Sequence, residues 1–475
     1  MTFLVVDQGG HASRAVIMDR LGTPVARSER PLATYRKQSA WVEHDPLELV
    51  ETIRNSMTEA VLNAGEGSET LQAAGFATQR SNVVCWDGCT GQALSPVISW
   101  QDTRAGDRIS SLSSRAADIH NRTGLFLSAH YGASKLQWCL ENIPEVKKAK
   151  ETGRLRTGPM SSFLAWQLTR EKPFVTDPVS ASRTLLFNIR ERKWDRELRD
   201  LFGVPEEVLP VCVPSIYNYG SLEIGKVRVP LTLVTGDQAA ALFAHGRLKA
   251  GTAYVNMGTG AFVSRPTGQT PVLSQVLLTS VTHEQDGICE YVLEGTVNGA
   301  GSALQWMQER YRIKDLRKQL PLWLKEVVDP PLFLNGISGL GSPFWIPDFI
   351  SGFVGKGGPA AKTVAVAESI AFLLYRNILE MGHHMEKAER IQITGGLSAL
   401  DGVCQLLADL TGVPAYRPDQ TEATARGTCF LLAGKPDEWP EADGGKWFEP
   451  AEGTAGVERY GRWSEAMEDR IRCGQ

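Results

Sequence analysis

Short apolar runs separated by glycine-rich turns open the chain and predict a β-hairpin with a third strand beside it. Residues 3–6 form an apolar run that ends at Asp7, residues 8–11 have turn chemistry, and residues 15–18 are apolar again. A second turn pattern follows at residues 21–24. The start of the chain is therefore predicted to run strand, turn, strand, turn, strand.

A helix is predicted to begin after Asp45, because aspartate is a good N-cap and Pro46 suits the first helical position. The apolar residues that then fall at helical spacing are Leu49, Val50, Ile53, Met57, Ala60 and Val61. The pattern further predicts strands around residues 73–77, 83–86 and 97–100, and helices near residues 133–142 and 160–168.

The second half of the chain begins like the first. Residues 252–264 repeat the plan of residues 2–17, since both read strand, glycine-rich hairpin, strand. Such an internal repeat suggests a duplicated domain. A length of 475 residues suits two large domains or three small ones. The repeat favours two, and we place them at residues 1–246 and 247–475.

Composition and charge argue against nucleic acid and membrane as partners of this chain. The chain is 42% hydrophobic and 22% charged, with a net charge of -4 and no basic stripe, so we expect no nucleic-acid partner. It shows no apolar run of about 18 residues and no signal-peptide pattern, so no membrane span is expected. The eight scattered cysteines lack the second close pair of a metal site. Reduced thiols and a cytoplasmic location are the resulting expectation.

Two glycine hairpins could hold phosphate groups. At Gly9 and Gly10, and again at residues 258–260, backbone N–H groups can approach an anion without an intervening Cβ. Asp7, at the end of the preceding strand, could organise a hydrated Mg²⁺. Each hairpin alone could equally be an ordinary tight turn. Because they stand at corresponding places in the two halves, together they favour binding of a nucleotide's phosphates.

Two further strand ends carry candidate chemistry. Asp237 and Gln238 follow an apolar strand and open a helix of small residues. Asp237 could be only a helix N-cap, or it could be a general base for an attacking hydroxyl, with Gln238 holding a neighbouring hydroxyl. A later strand leads through Gly395 and Gly396 into a helix predicted over residues 398–411, where backbone could lie against adenine.

A series of short motifs runs in order along nearly the whole chain. They are Asp7-Gln8-Gly9, Trp41-Val42-Glu43-His44-Asp45-Pro46, Thr78-Gln79-Arg80, Trp100-Gln101-Asp102-Thr103-Arg104, Ala181-Ser182-Arg183-Thr184-Leu185-Leu186-Phe187-Asn188-Ile189, Gly236-Asp237-Gln238, Gly258-Thr259-Gly260, Glu294-Gly295, Gln305-Trp306, Gly339-Leu340-Gly341-Ser342-Pro343-Phe344-Trp345 and Gly395-Gly396. This ordered set resembles the FGGY carbohydrate kinases, and among them the glycerol kinases most.

The resemblance implies an α/β fold of two actin-like domains, related to hexokinase and ribonuclease H, with ATP and substrate in the cleft between them. It implies Asp237 as the catalytic base and Asp7 as the residue that places Mg²⁺. The implied acceptor residues are Arg80, Ser81, Trp100, His130, Asp237, Gln238 and Phe262. The implied nucleotide residues are Gly9, Gly10, His11, Ser13, Arg14, Gly258, Thr259, Gly260, Gly395 and Gly396.

Three positions depart from the family pattern. Gly10 and His11 stand where the first phosphate hairpin usually carries threonine hydroxyls, although His11 could substitute for one of them. Ser81 follows Arg80 where glycerol kinases have glutamate, and His130 stands where they have tyrosine. A polar pocket rejects substrates that leave its groups unpaired, so these changes argue against glycerol and favour a longer polyol or a ketose.

The leading hypothesis is therefore an ATP-dependent kinase for a small sugar or polyol, which could form a homo-oligomer as its family often does. A second is a weak or inactive ATP- or sugar-binding regulator on the same fold, which the altered hairpin at Gly10 motivates. A third is an actin-like filament or chaperone ATPase. Arg80, Trp100 and Gln238 have no role in that third class.

Overall fold

The computed structural model describes residues 1–419, 422–440, 444–453 and 455–474, and its first large sheet has six strands. Across the sheet these are Ser221–Ile224, Val227–Gly236, Leu71–Thr78, Thr2–Gln8, Ala12–Asp19 and Pro24–Pro31. Strand Thr2–Gln8 pairs antiparallel with Ala12–Asp19 and parallel with Leu71–Thr78. The hairpin predicted at the start of the chain is confirmed, with its third strand at the sheet edge.

The second large sheet has seven strands. In order they are Leu278–Gln285, Ile288–Val297, Ala261–Gly268, Thr252–Met257, Arg390–Thr394, Ala415–Arg417 and Lys446–Phe448. Its hairpin Thr252–Met257 and Ala261–Gly268 occupies the place that the first hairpin has in the other sheet. In each sheet the first strand also pairs parallel with a later one, Leu71–Thr78 or Arg390–Thr394. The internal repeat predicted from the sequence is therefore present in the fold.

Smaller sheets complete the strand inventory. A five-stranded sheet joins Tyr35–Gln38, Trp41–His44, Val97–Ile98, Val83–Asp87 and Leu155–Pro159. Three two-stranded pairs are Val175–Thr176 with Val211–Cys212, Phe187–Asn188 with Lys193–Trp194, and Leu332–Leu334 with Gly352–Val354.

Helices fill the remaining layers. They span Pro46–Ala64, Gly106–Ser110, Ala116–Thr123, Gly132–Asn142, Pro144–Glu151, Met160–Leu168, Pro178–Ala181, Arg196–Phe202, Asp237–Leu242, Gly301–Tyr311, Leu316–Glu326, Pro359–Met381, Asp401–Thr411, Ala423–Leu432 and Ala455–Arg472. Asp45 caps the first of them by accepting hydrogen bonds from the amides of Leu47 and Glu48, as predicted. The helix predicted over residues 398–411 begins only at Asp401, because a 3-10 turn over Gly396–Ala399 precedes it.

The core of the first sheet draws on both halves of the chain. On one face Leu4, Val6 and Ile17 pack with helix Pro46–Ala64. On the other face Phe3, Val5, Val16 and Met18 pack with Ala425 and Cys429 of helix Ala423–Leu432, which comes from the second half. The second half therefore covers a face of the first sheet that would otherwise be an exposed apolar surface.

Two sequence-level expectations concern membranes and thiols. Within the parts of the chain that the structure describes, the helices are too short or too polar to span a bilayer. All eight cysteines lie in those parts and are free thiols, five of them buried.

Candidate active site

A cavity of about 290 Å³ lies between the two large sheets and is lined by residues from both halves. The first half contributes Arg80, Asp237 and Gln238, and the second contributes Phe262 and Glu294. Four of the predicted acceptor residues therefore meet in one cavity, although they are far apart in sequence. The cavity is of the size that a small ligand needs.

Asp237 stands where strand Val227–Gly236 passes into helix Asp237–Leu242. The N-cap position is taken by Gly236, so the carboxylate of Asp237 is not the helix cap. It accepts a hydrogen bond of 2.7 Å from the amide of Gln238. A Cβ on Gly236 would lie 2.6 Å from Cδ of Arg80, so glycine lets Arg80 approach this strand end. Burial raises the pKa of Asp237, and the positive charge of Arg80 opposes that rise.

Asp7 ends the first strand and faces Asp237 closely enough for their charges to interact. Burial, followed by the negative charge of Asp237, raises the pKa of Asp7 to about 7, although Arg14 lies 3.5 Å from its carboxylate. A bound cation would relieve this repulsion between two carboxylates. Among the described residues no three His, Cys, Asp or Glu side chains converge on a possible metal position.

A buried ion cluster joins the two halves beside the cavity. Glu294 lies 3.7 Å from Arg80 and 3.4 Å from Arg183, and the hydroxyl of Ser280 accepts a hydrogen bond of 2.9 Å from Arg183. Arg80 also donates a hydrogen bond to the side-chain oxygen of Gln238. Burial tends to raise the pKa of Glu294, but Arg183 and Arg80 outweigh it and lower that pKa, so Glu294 is ionised.

Glu294 and Arg183 belong to motifs that identified the family, yet no local pattern assigned them a role. Arg183 and Glu294 are 111 residues apart in the chain. A buried arginine–glutamate pair across two halves can be found only when the halves are placed together. The signal in the sequence was their presence in the motifs, without any spacing that pairs them.

The other predicted acceptor residues, Ser81, Trp100 and His130, are not among the residues that line the cavity. The rings of Trp100 and His130 meet edge to face at 5.4 Å, and both residues are partly open to solvent. Crowding by protein atoms, then the charges of Lys135 and Arg183, lowers the pKa of His130, so its ring is neutral at pH 7. Ser81 is buried and has a left-handed φ of 65°.

The first glycine hairpin presents two faces with different residues. Asp7 pairs with Arg14 on the cleft side, while Gln8 pairs with Ser13 on the opposite side. The buried hydroxyl of Ser13 donates a hydrogen bond of 2.6 Å to the side-chain oxygen of Gln8, and it lies 2.8 Å from the hydroxyl of Thr52. The geometry is therefore against the predicted nucleotide contact of Ser13, because alternate residues of a strand face opposite sides. Its hydroxyl instead holds the hairpin to the helix behind it.

The turn itself is open to the cleft. The amide of Gly9 donates a hydrogen bond of 3.1 Å to the carbonyl of Ala12, and this bond closes the hairpin. A Cβ on Gly10 would lie 2.7 Å from the side-chain nitrogen of Gln79, so this turn approaches the neighbouring loop closely. His11 is exposed, and so is Arg14, which bonds Glu29 at 2.6 Å as well as facing Asp7.

The second hairpin is backed by a helix. The carbonyl of Gly258 accepts from the amide of Gly301 at 3.0 Å, and the carbonyl of Thr259 accepts from Ala300 at 3.2 Å. Helix Gly301–Tyr311 thus begins directly behind the turn. The first amides of this helix bond the carbonyls of the hairpin, so the helix holds the turn of Gly258, Thr259 and Gly260 in place.

Gly395 and Gly396 follow strand Arg390–Thr394, next to the second hairpin. Gly395 has a φ of +90°, and a Cβ there would lie 2.5 Å from the carbonyl oxygen of Met257. A Cβ on Gly396 would meet nothing within 4 Å. The first glycine is therefore required by the close approach of two strands, and the second leaves open space where a ligand could lie.

These features define a class of protein. Two sheets of matching order, each with a glycine hairpin, face one cavity that holds buried carboxylates and an arginine. The fold and site are those of a two-domain, actin-like α/β phosphotransferase.

Comparison with known proteins gives the family. The model for the FGGY family of carbohydrate kinases, N-terminal domain, matches residues 2–244, and that for the C-terminal domain matches residues 253–434. The chain belongs to the FGGY family of carbohydrate kinases and is a phosphotransferase with an alcohol group as acceptor.

Similar proteins include a glycerol kinase from Thermoanaerobacter sp. (strain X514), 35% identical over 496 residues that cover 99% of each chain. A glycerol kinase from Leptothrix cholodnii is 34% identical and covers 91% of this chain and 90% of its own. Among solved structures, Plasmodium falciparum glycerol kinase with ADP superposes with a TM-score of 0.91 at 24% identity, covering 99% of this chain and 98% of its own. Xylulose kinase from Rhodospirillum rubrum superposes with a TM-score of 0.87 at 19% identity, covering 99% of this chain and 98% of its own. At these identities the structures establish the fold alone.

Proposed function

We propose that this protein transfers the terminal phosphate of ATP to a hydroxyl group of a small sugar or polyol, with Asp237 as the general base. The observation that carries the proposal is one cavity lined by Arg80, Asp237 and Gln238 from the first half and by Phe262 from the second. An acceptor bound there would contact the base, two hydrogen-bonding side chains and an apolar ring. That is the pattern expected of a carbohydrate site.

The chemistry needs a base beside the acceptor and a neutralised phosphate. The acceptor oxygen attacks the terminal phosphorus, and the bond from that phosphorus to the bridging oxygen breaks, leaving its electron pair on ADP. The proton of the attacking hydroxyl passes to Asp237. Because the transition state for phosphoryl transfer is loose, the protein contributes mainly alignment and charge stabilisation.

The nucleotide would be held by backbone groups. We assign the phosphates to Gly9 and Gly10 and to residues 258–260, with His11 and Arg14 at the edge of the first hairpin. Adenosine would lie against Gly395 and Gly396. Mg²⁺, when bound, would supply charge neutralisation on the phosphates, and Asp7 is the residue that would hold it through its hydration shell.

The acceptor is proposed to be a polyol longer than glycerol, or a ketose. Ser81 and His130 replace a glutamate and a tyrosine of the glycerol kinases, and a serine next to Arg80 takes up less space than a glutamate would. The similarity to glycerol kinases establishes the family without fixing the substrate. We also propose domains at residues 1–246 and 247–475 and a cytoplasmic location, as expected from the sequence.

A catalytically weak ATP- or sugar-binding regulator is the second candidate, because Gly10 and His11 lack the usual hydroxyls of the phosphate hairpin. One lost hydrogen bond to a charged phosphate would weaken binding by about 1.5–3 kcal/mol. The retained Asp237 favours the kinase, since a protein that only binds has no use for a base.

The test is ADP release with MgATP and a panel of polyols and ketoses that includes glycerol. We expect turnover with at least one acceptor other than glycerol, and a fall in kcat of about 10²–10⁴-fold for Asp237→Asn with acceptor binding retained, because Asn cannot take the proton. Asp200→Asn, at an exposed surface position, is the matched control. Binding without turnover on every acceptor would favour the regulator, and glycerol as clearly the best acceptor would overturn the substrate proposal.

A further inference from the structure

Lys135 is a fully buried lysine on helix Gly132–Asn142, with no exposed surface. Lysine is almost never fully buried unless its charge is paired, so its surroundings need an explanation. Its Nζ donates to the backbone carbonyls of Ser99 and His130, each at 2.7 Å, and lies 3.4 Å from that of Ser81. The three N–H donors of an ammonium group match three carbonyl oxygens.

The three carbonyls belong to three separate loops. Ser81 lies between strands Leu71–Thr78 and Val83–Asp87, Ser99 directly follows strand Val97–Ile98, and His130 precedes the helix that carries Lys135. Each loop carries a residue of the proposed acceptor site, namely Ser81 itself, Trp100 next to Ser99, and His130 itself. One side chain therefore ties together the backbone of all three loops.

The ammonium of Lys135 is held by these three carbonyls and by the charge of one acidic residue. Asp102 is the acidic residue whose negative charge favours the ammonium of Lys135. Its carboxylate, however, already accepts hydrogen bonds of 2.7 Å from Arg104 and 2.7 Å from the amide of Val42. Arg104 itself repels the ammonium. Burial lowers the pKa of Lys135 to about 7, which is the cost of holding a cation here. A lysine needed only to fill the core would be replaced at less cost by an apolar residue.

We infer that Lys135 is a positioning residue of the acceptor site, which holds the loops of Ser81, Trp100 and His130 at the spacing that the carbohydrate requires. This inference rests on the proposed function. Removing the ammonium takes one hydrogen bond from each carbonyl and lets the three loops separate. The expected loss falls on acceptor binding, because the three carbonyls that Lys135 bonds belong to the loops of the proposed acceptor site.

The test compares Lys135→Met, which keeps the length of the side chain without its donors, with the control Lys148→Met. Lys148 is exposed on the neighbouring helix Pro144–Glu151. KM is measured separately for ATP and for the best acceptor of the panel. Buried groups left unpaired cost about 1–3 kcal/mol, so we expect the acceptor KM to rise about 10- to 100-fold in Lys135→Met. The KM for ATP is expected to stay within about twofold, and Lys148→Met to match the wild type.

Three outcomes would overturn the inference: an unchanged acceptor KM, equal increases of both KM values, or the same effect in Lys148→Met. Lys135→Gln, which keeps two N–H donors, is expected to give an intermediate acceptor KM and replaces Lys135→Met if that variant does not fold. Failure of the proposed function is distinguishable, because the wild type would then show no turnover with any acceptor. In that case calorimetric binding of the acceptors to Lys135→Gln and wild type decides the role of Lys135, and equal affinities would contradict it.

Discussion

At the residue scale, the site depends on two partly buried carboxylates placed at or near strand ends. Asp7 and Asp237 each carry a raised pKa whose first cause is burial. Carboxylates that are buried beside each other destabilise the folded protein when both are ionised. Such a conflict is typical of functional sites, where chemistry is kept at the expense of stability.

The pH dependence of stability should report this conflict at Asp7. The folded state retains the proton up to about pH 7, whereas the unfolded chain releases it near pH 4. The contribution of Asp7 to the free energy of unfolding therefore falls as the pH rises from about 4 to about 7. Asp7→Asn removes the carboxylate. At pH 8 it should raise the free energy of unfolding by on the order of a few kcal/mol, and with it the melting temperature, whereas at pH 4 it should have little effect.

The measurement is thermal unfolding of both proteins across pH 4–8, without nucleotide or divalent metal. Asp200→Asn serves as the control, since Asp200 is exposed and pairs only loosely with Arg196 at 3.8 Å. A melting temperature at pH 8 that is equal or lower in Asp7→Asn would contradict the assigned cause. The same variant should lose kinase activity, because Asp7 is the residue proposed to hold Mg²⁺.

At the element scale, the turn after strand Arg390–Thr394 holds one glycine that packing requires and one that faces open space. Gly395→Ala would place a Cβ 2.5 Å from the carbonyl oxygen of Met257 at a φ of +90°, so the strand pair must move. We expect loss of nucleotide binding and a destabilisation of more than about 1 kcal/mol. Gly396→Ala has open space and no positive φ, and should fold as the wild type does. Calorimetric titration with ADP and thermal unfolding of both variants test this, and equal behaviour would count against it.

Elements with local causes were predictable from the sequence, and those with distant causes were not. Helix Pro46–Ala64 was predicted because its cap and apolar spacing are local. The need for Gly395 comes from its approach to Met257, a residue 138 positions earlier on a neighbouring strand, which no local pattern reveals. The inward hydroxyl of Ser13 was missed for a different reason, since the family motif names a residue without saying which face of the strand it takes.

The residues of the site also fall into those that the sequence could predict and those that it could not. The family resemblance predicted Asp237, Gln238, Arg80 and Phe262, and the fold brings all four into one cavity. Lys135 and its three carbonyls were not predicted, because the carbonyls are backbone atoms and carry no sequence signal. A lysine within an apolar helix pattern reads as an ordinary surface residue until the surrounding loops are in place.

At the scale of the whole molecule, the two halves are interdependent. Helix Ala423–Leu432 of the second half packs on the first sheet, and a Cβ on its Gly427 would lie 1.8 Å from the carbonyl oxygen of Ala240. The ion cluster of Arg80, Arg183 and Glu294 also crosses between the halves. Relative motion of the sheets must therefore pivot around contacts that already join them.

This interdependence predicts how the separated halves behave. A fragment of residues 1–246 lacks helix Ala423–Leu432, so the apolar side chains of Phe3, Val5, Val16 and Met18 would face water. We expect the fragment alone to bind a hydrophobic dye and to unfold less cooperatively than the whole chain, because one apolar face of its sheet would be uncovered. Co-expression with residues 247–475 should restore cooperative unfolding, since the missing helix is supplied in trans. Cooperative unfolding of 1–246 by itself, with no dye binding, would show that the first half is complete without the helix.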